Sequence, residues 1–246
     1  MFGLDKKTVR DTRSALEQAQ DPAETGYRGR VTQVIENILD FGIDGKGPFE
    51  SAADVAAKAL RHRDGNVEAA IKDVVDSHTK LAGAGGFLTS MGGFFTMTVA
   101  MPVNVLEFYA ISTRMTAAVA RLRGYDLEQP QIRSAILLSL VGADAEDLLA
   151  KAGIVASGRL SDLAAQRLPG PALMVVNKAV GFRLLRSAGQ ATLGRFGKSI
   201  PFVGGLVGAG LDVYLVRRIA DQARSEFPLA PSQITRSPAP GAPTAG

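Results

Sequence analysis

The chain has 246 residues, a net charge of +4, no cysteine and no tryptophan. Without cysteine there are no disulfides, zinc–thiolate sites, iron–sulfur clusters or cysteine nucleophiles. Two histidines, His62 and His78, are too few for a multi-histidine metal centre. We therefore expect no cofactor and a non-catalytic protein, with a hydrolase that uses an unrecognised site as the less favoured alternative.

The positive charge is concentrated in the last third of the chain. Residues 151–246 contain 12 Lys/Arg against 4 Asp/Glu, a net charge of +8, whereas residues 1–80 and 81–150 each have a net charge of −2. Such a bias favours an anionic partner surface, although the same residues also serve as solvated helix faces. We expect anionic lipid rather than nucleic acid, because aromatic residues are scarce there and no nucleic-acid-reading motif accompanies the charge.

Apolar residues recur at helical spacing and strand signals are weak, so the sequence predicts an all-α fold, a compact multi-helix domain with glycine-rich central helices. No apolar leader follows the charged N-terminus, which favours a cytoplasmic protein, at the inner face of the cell membrane if it meets lipid. The predicted helices are 8–20, 27–41, 51–63, 66–83, 103–123, 127–141, 145–156, 160–168, 171–190 and 202–227.

Capping residues support several of these boundaries. Ser51 and Asn66 are predicted N-caps. Gly124 follows the long helix as its C′ glycine. Asp126 and Gln129 have the spacing of a capping box ahead of Pro130.

The loop from Ile43 to Phe49 suggests a division of the chain. We predict an N-terminal helical extension at 1–44, the main helical domain at 45–227, and a disordered tail at 228–246. The tail is rich in Pro, Ala, Ser and Gly, and it cannot bury enough apolar surface to offset its ordering entropy.

Two stretches of the main domain carry no charge. Leu81–Leu106 runs for 26 residues, longer than the roughly 18 that flag a membrane span, but its glycines and Pro102 argue against a simple span. Ile200–Leu211 pairs Gly204 with Gly208 at the spacing of a close helix contact. Both stretches fit tightly packed central helices of a soluble bundle, or a hairpin that inserts partly into a bilayer.

Four motifs follow one another in the main domain: GAGGFLTSMGG from 83, MPVNVLEFYAISTRM from 101, RLRGYDLEQPQIR from 121 and KSIPFVGGLVGAGLD from 198. Their order resembles the EcsC family of bacterial proteins, and the resemblance covers roughly residues 45–227. It implies a helical fold and a membrane-adjacent role, and it brings no catalytic residues. The family-motif residues are Gly83, Gly85, Gly86, Gly92, Gly93, Pro102, Gly124, Tyr125, Asp126, Pro201, Gly204 and Gly208.

Motifs of catalysis and nucleotide binding are incomplete. No G-x-S-x-G elbow is present, and Gly197–Lys198–Ser199 lacks the first P-loop glycine because Thr192 stands at its place. Asp73 and His78 are five residues apart, a poor spacing for a helix-borne metal site, so we predict that His78 is a solvated residue at a helix end.

Two groups of charged residues are candidates for a role. Asp212 interrupts an apolar helix and needs water, a proton or a cation. Its candidate partners are Arg114 and Arg121, which share a helix face with Glu107 because seven residues nearly repeat two turns. We predict that Arg114 is the buried partner that approaches Asp212. Lys178, Arg183 and Arg186 share one side of a helix opposite Leu173, Val180 and Leu184, which predicts a basic amphipathic helix for an anionic lipid surface.

Together these features predict a non-catalytic, peripherally membrane-associated helical protein. The alternative is a soluble helical module that binds a protein partner, or forms a homodimer through its glycine-rich faces.

Overall fold

Every regular element is a helix in the computed structural model, which describes residues 25–46, 49–84, 103–142, 145–151, 154, 158–164, 170–195 and 201–230. The α-helices are α1 (Thr25–Leu39), α2 (Ala52–His62), α3 (Val67–Ala84), α4 (Val103–Leu122), α5 (Pro130–Ser139), α6 (Ala145–Lys151), α7 (Gly170–Arg195) and α8 (Pro201–Glu226). A π-helical turn (Asp40–Asp44) continues α1, and a 3-10 turn (Leu160–Ala164) precedes α7. The all-α prediction is confirmed. The predicted helix at 8–20 lies outside the described residues.

Local capping chemistry sets several helix ends. Ser51 Oγ accepts from the Asp54 amide at 3.1 Å, and Asn66 Oδ1 accepts from the Ala69 amide at 3.0 Å, so both predicted N-caps are confirmed. At the end of α4, Gly124 has a φ of 92°. The Tyr125 amide donates to the Ala120 carbonyl at 3.0 Å, which completes a Schellman motif around the predicted C′ glycine.

The predicted capping box at Asp126 is wrong. Asp126 Oδ1 instead accepts from the Glu128 amide at 3.1 Å. Gln129 is the N-cap of α5 without a side-chain hydrogen bond, and Pro130 stands in the first helical position. The short aspartate side chain satisfies the amide two residues on, as in an Asx turn, so α5 begins three residues later than the pattern suggests.

Helix α4 forms the centre of the bundle. Residues 110–120 are all buried, and this set includes hydroxyl side chains and the guanidinium of Arg114. Two apolar cores lie on either side of it. One contains residues of α1, α5 and α7, among them Ile35, Leu137 and Phe182, and the other joins α2, α3 and α8.

Two contacts fix the directions in which α3 and α8 run relative to α4. Arg123, just after α4, pairs with Glu68 in the first turn of α3 at 2.8 Å, so α3 and α4 run antiparallel. The Ala230 amide, just after α8, donates to the Arg123 carbonyl at 2.8 Å, so α8 ends beside the end of α4. The last turn of α3 and the beginnings of α4 and α8 therefore lie at the opposite end of the bundle.

Helix α1 belongs to the same core as the later helices. Val31, Val34, Ile35 and Ile38 are buried and lie in one apolar cluster with residues of α4, α5 and α7. The stretch from Thr25 to Asp44 thus packs as part of the bundle, and the turn at Gly45 (φ 71°) redirects the chain within it.

The predicted tail begins at 228, and its first three residues are described. Ala230 is buried and is held by its hydrogen bond to Arg123. Residues 231–246 lie outside the described residues.

Candidate functional site

Arg114 is the most deeply buried cation among the described residues, with 6% of its surface exposed. Its Nη2 donates to the Phe41 carbonyl at 2.6 Å, and its guanidinium carbon lies 5.0 Å from the centre of the Phe49 ring. Its Nε has no hydrogen-bond partner in the described residues. Burial lowers the pKa of Arg114, while the charge of Glu50 raises it. An arginine nevertheless stays protonated in proteins, so this site contains a buried positive charge.

A π-helical turn presents the acceptor for Arg114. The turn at Asp40–Asp44 widens the hydrogen-bonding pattern of the helix, and Phe41 lies within it. Its position is fixed from outside by Arg133, whose Nη1 and Nη2 donate to the two carboxylate oxygens of Asp44 at 2.9 and 2.5 Å. This fork links α5 to the turn and raises the pKa of Arg133 through the hydrogen bonds to Asp44.

His78 is buried, with 4% of its surface exposed, and the prediction of a solvated helix-end residue is wrong. Ile71, Val74 and Val75 precede it at seven, four and three positions and are also buried, so His78 lies on the apolar face of α3. This periodicity was the sequence signal for its burial.

The hydrogen bond of His78 determines its tautomer. Nδ1 lies 2.8 Å from the Val74 carbonyl, which can only accept, so Nδ1 carries the proton and Nε2 has the lone pair. Burial, together with the positive charge of Arg114, lowers the pKa of His78 to about 4, although the hydrogen bond to Val74 opposes this. The ring is therefore neutral at pH 7.

Arg114 and His78 line the same cavity. It lies between α2, α3 and α4 and has a volume of about 660 Å³. Phe49, Val55, Ala59, Val74 and Leu81 supply its apolar wall. The sequence identified Arg114 as a buried charge but did not bring it together with His78, because the two residues lie on different helices.

The predicted pairing of Arg114 with Asp212 is not observed. Arg114 instead interacts with the Phe41 carbonyl, the Phe49 ring and the charge of Glu50. Asp212 is half-buried on α8. The seven-residue spacing of Glu107, Arg114 and Arg121 places them on one face of α4. This spacing carries no information about which helix covers that face.

The predicted lipid-surface cations lie on α7. Leu173, Val180 and Leu184 are buried as the helical pattern predicts, while Lys178 and Arg183 are half-buried. Burial raises the pKa of Tyr109 on α4 to about 12 and the charge of Arg183 opposes this rise, so Arg183 lies near Tyr109. The side chain of Arg186 lies outside the described residues.

Gly83 and the glycine-containing first half of α8 lie towards the same end of the bundle. A Cβ placed on Gly83 would come within 2.8 Å of Val213 Cγ2, so the end of α3 meets α8 closely. Pro201, Gly204 and Gly208 lie in the first half of α8. Gly85, Gly86, Gly92, Gly93 and Pro102 are outside the described residues.

The end of the bundle that holds the last turn of α3 and the beginnings of α4 and α8 is called the apolar end. It comprises Leu81–Ala84 of α3, Val103–Leu106 of α4 and Pro201–Leu211 of α8, and none of these segments contains a charged residue.

The second histidine, His62, is exposed at the end of α2, and its Nδ1 lies 3.4 Å from a carboxylate oxygen of Asp73. Within the described ranges, no three His, Asp or Glu side chains lie together as a metal site would require. Likewise, none of the helices in these ranges is long and apolar enough to cross a membrane.

Comparison with known proteins identifies the family. No curated protein and no solved structure matches the chain. The model of the EcsC protein family matches residues 12–229, which includes α1 and begins well before residue 45, where the resemblance seen in the sequence starts. The chain therefore belongs to the EcsC protein family.

Proposed function

We propose that this chain is a non-catalytic protein that associates peripherally with anionic membranes through the apolar end of its bundle. The observation that carries the proposal is that the uncharged last turn of α3 and the uncharged beginnings of α4 and α8 lie at the same end of the bundle. The relative directions of α3, α4 and α8 follow from two contacts, that of Gly83 with Val213 and that of Arg123 with Glu68. These directions place the segments at the same end. The net charge of +8 in residues 151–246 supplies long-range attraction to anionic lipid.

The exposed face of α8 supports this orientation. Tyr214 is 60% exposed, and Arg217 and Arg218, three and four residues later, are also exposed. These residues follow directly on the uncharged first half of the helix. Tyrosine and arginine combine an apolar body with a polar tip, and both favour the boundary between lipid and water. We call Tyr214, Arg217 and Arg218 the interfacial cluster.

The depth of insertion follows from the length of the apolar segment. Pro201–Leu211 of α8 measures roughly 16 Å at 1.5 Å per residue, about half of the roughly 30 Å hydrocarbon core of a bilayer. The first half of α8 would therefore enter one leaflet, with the interfacial cluster at the headgroups. This depth agrees with a peripheral rather than a spanning protein.

Liposome flotation tests the proposal. The full chain is floated with vesicles of neutral phosphatidylcholine and with vesicles that also contain phosphatidylserine, and the bound fraction is washed with high salt and with carbonate. We expect binding to anionic vesicles that weakens with salt, since surface charge is screened within about 10 Å at 0.1 M. The double variant R217Q/R218Q should bind roughly thirty-fold more weakly, at about 1 kcal/mol for each lost charge near the surface.

The matched control is R61Q/R121Q. Arg61 and Arg121 are also exposed but lie in the last turns of α2 and α4, at the end of the bundle away from the apolar end. This control removes the same net charge and should bind nearly as well as the unaltered chain. Equal losses in both double variants would refute the orientation and leave only general electrostatic attraction.

The cations of α7 provide a second comparison. If K178Q/R183Q weakens binding and R217Q/R218Q does not, then α7 rather than α8 faces the lipid. Absence of binding to either type of vesicle would overturn the proposal in favour of a soluble helical interaction module.

A further inference from the structure

The cavity between α2, α3 and α4 has the size and chemistry of a ligand site. Its volume of about 660 Å³ falls within the range of roughly 300–1,000 Å³ typical of small-molecule sites. The lining residues from Asp73 to Leu81 on α3 extend over about 12 Å of helix. The cavity therefore has room for an elongated molecule.

Among the described residues that line the cavity, Arg114 is the cation that forms no ion pair, and Glu50 acts on it only through its charge. Lys58 lies 3.3 Å from Glu50, and Arg63 lies 2.5 Å from Asp73, so both acidic residues of the lining have cationic partners. Arg114 donates only to a neutral carbonyl and forms no ion pair with a carboxylate in the part of the chain that the structure describes. A buried charge without a counterion is costly, so a single negative charge in the cavity is favoured.

His78 limits that charge to one. Its protonated Nδ1 is engaged with Val74, and the lone pair on Nε2 repels rather than attracts a second negative charge. Ser77 Oγ donates to the Val74 carbonyl at 2.9 Å, so its proton is also committed. Among its described lining residues, the cavity thus offers one buried positive charge and no further cation at comparable depth.

The rest of the described lining is apolar apart from the exposed His62, whose Nδ1 lies 3.4 Å from Asp73. Phe49 stacks near the guanidinium of Arg114, and Val55, Ala59, Val74 and Leu81 extend the apolar surface along α2 and α3. Leu81 opens the uncharged stretch that leads to the apolar end. An aliphatic chain would bury apolar area here at roughly 25 cal/mol per Å².

We propose that this cavity binds a long-chain carboxylate, with the carboxylate paired to Arg114 and the chain lying against Phe49, Val55, Val74 and Leu81. Carboxylate and guanidinium form strong charge-assisted hydrogen bonds, and the carboxylate supplies the single charge that the site lacks. This ligand site depends on the cavity alone and does not require membrane association.

Calorimetric titration with palmitate below its aggregation concentration tests the proposal in the absence of membranes. We expect saturable binding near one equivalent and a rise in the melting temperature, because a ligand that binds the folded state stabilises it. Acetate tests whether the aliphatic chain of the ligand is needed for binding. Hexadecyl phosphate tests whether the site prefers the single charge of a carboxylate, and hexadecyltrimethylammonium tests whether it prefers a negative headgroup. Preference for either of the last two over palmitate would overturn the proposal.

Two variants test the carboxylate and the aliphatic chain of the ligand separately. R114M removes the charge at similar length and should weaken palmitate binding about tenfold or more. A59F fills the cavity without altering Arg114 and should also weaken binding. Its control is A57F, since Ala57 is exposed and does not line this cavity, and it should bind as the unaltered chain does.

Each outcome decides the question. Unchanged affinity in R114M would refute the charge pairing, and unchanged affinity in A59F would place the ligand elsewhere. If R114M does not fold, the comparison of A59F with A57F and the series of probes still test the site. Flotation of folded R114M should match that of the unaltered chain, which distinguishes failure of this inference from failure of membrane association.

Discussion

Gly181 of α7 lies directly against Val31 of α1. A Cβ placed on Gly181 would come within 2.7 Å of Val31 Cγ1 and within 2.9 Å of Ile35 Cγ1. Real Cβ atoms do not approach other atoms so closely, so the absence of a side chain at Gly181 allows α1 and α7 to pack. This contact joins the beginning of the described chain to its last third.

We expect G181A to lower the free energy of unfolding by about 1–2 kcal/mol. Overpacking a core costs typically 1–3 kcal/mol, and the higher helix propensity of alanine returns up to about 1 kcal/mol. Urea denaturation monitored by circular dichroism measures the difference.

The control for this variant is G29A. Gly29 lies within α1, and nothing lies within 4 Å of a Cβ placed on it. Alanine should therefore raise the free energy of unfolding by up to about 1 kcal/mol. If G181A stabilised the protein as much as G29A, the close packing of α1 against α7 would be contradicted.

Gly124 terminates the central helix in a left-handed conformation with a φ of 92°. We expect G124A to destabilise the protein by about 1–2 kcal/mol, because this region penalises a Cβ by that amount. G124N should recover part of the loss, since asparagine tolerates left-handed backbone better than alanine. Equal stability of the alanine variant and the unaltered chain in thermal unfolding would contradict the assigned role of Gly124.

Burial of His78 should make stability depend on pH. The folded pKa is about 4 and the ordinary value is 6.5, so the unfolded state binds more protons between these values. Stability is therefore full above about pH 6.5 and declines as the pH falls toward 4, by up to about 3 kcal/mol. Urea midpoints measured between pH 7.5 and pH 4.5 follow this decline.

The substitution H78N isolates the contribution of the imidazole. Asparagine retains a side-chain donor for the Val74 carbonyl but does not titrate, so the decline between pH 6.5 and 4.5 should become shallower. H62N is the matched control, because His62 is 75% exposed in its side chain. A decline that persists unchanged in H78N would show that other groups dominate the acid sensitivity.

The candidate site was only partly visible in the sequence. The local pattern identified Arg114 as a charge on an apolar helix, and it is buried. The same kind of pattern places His78 on the apolar face of α3, whereas the spacing from Asp73 to His78 gives no indication of its burial. Neither pattern indicates that Phe41, 73 positions before Arg114, supplies its hydrogen-bond acceptor.

The amino-acid sequence was enough to predict the all-α class, most helix positions, the caps at Ser51, Asn66 and Gly124, and the family resemblance. These features depend on hydrogen bonds and apolar periodicity within a few residues, so they are local. Three relations could be learned only from the folded chain: α1 packs against α7, Arg114 contacts Phe41 rather than Asp212, and the last turn of α3 lies at the same end as the beginnings of α4 and α8. Those relations depend on which helix faces cover one another, and that choice is made by packing across the whole chain.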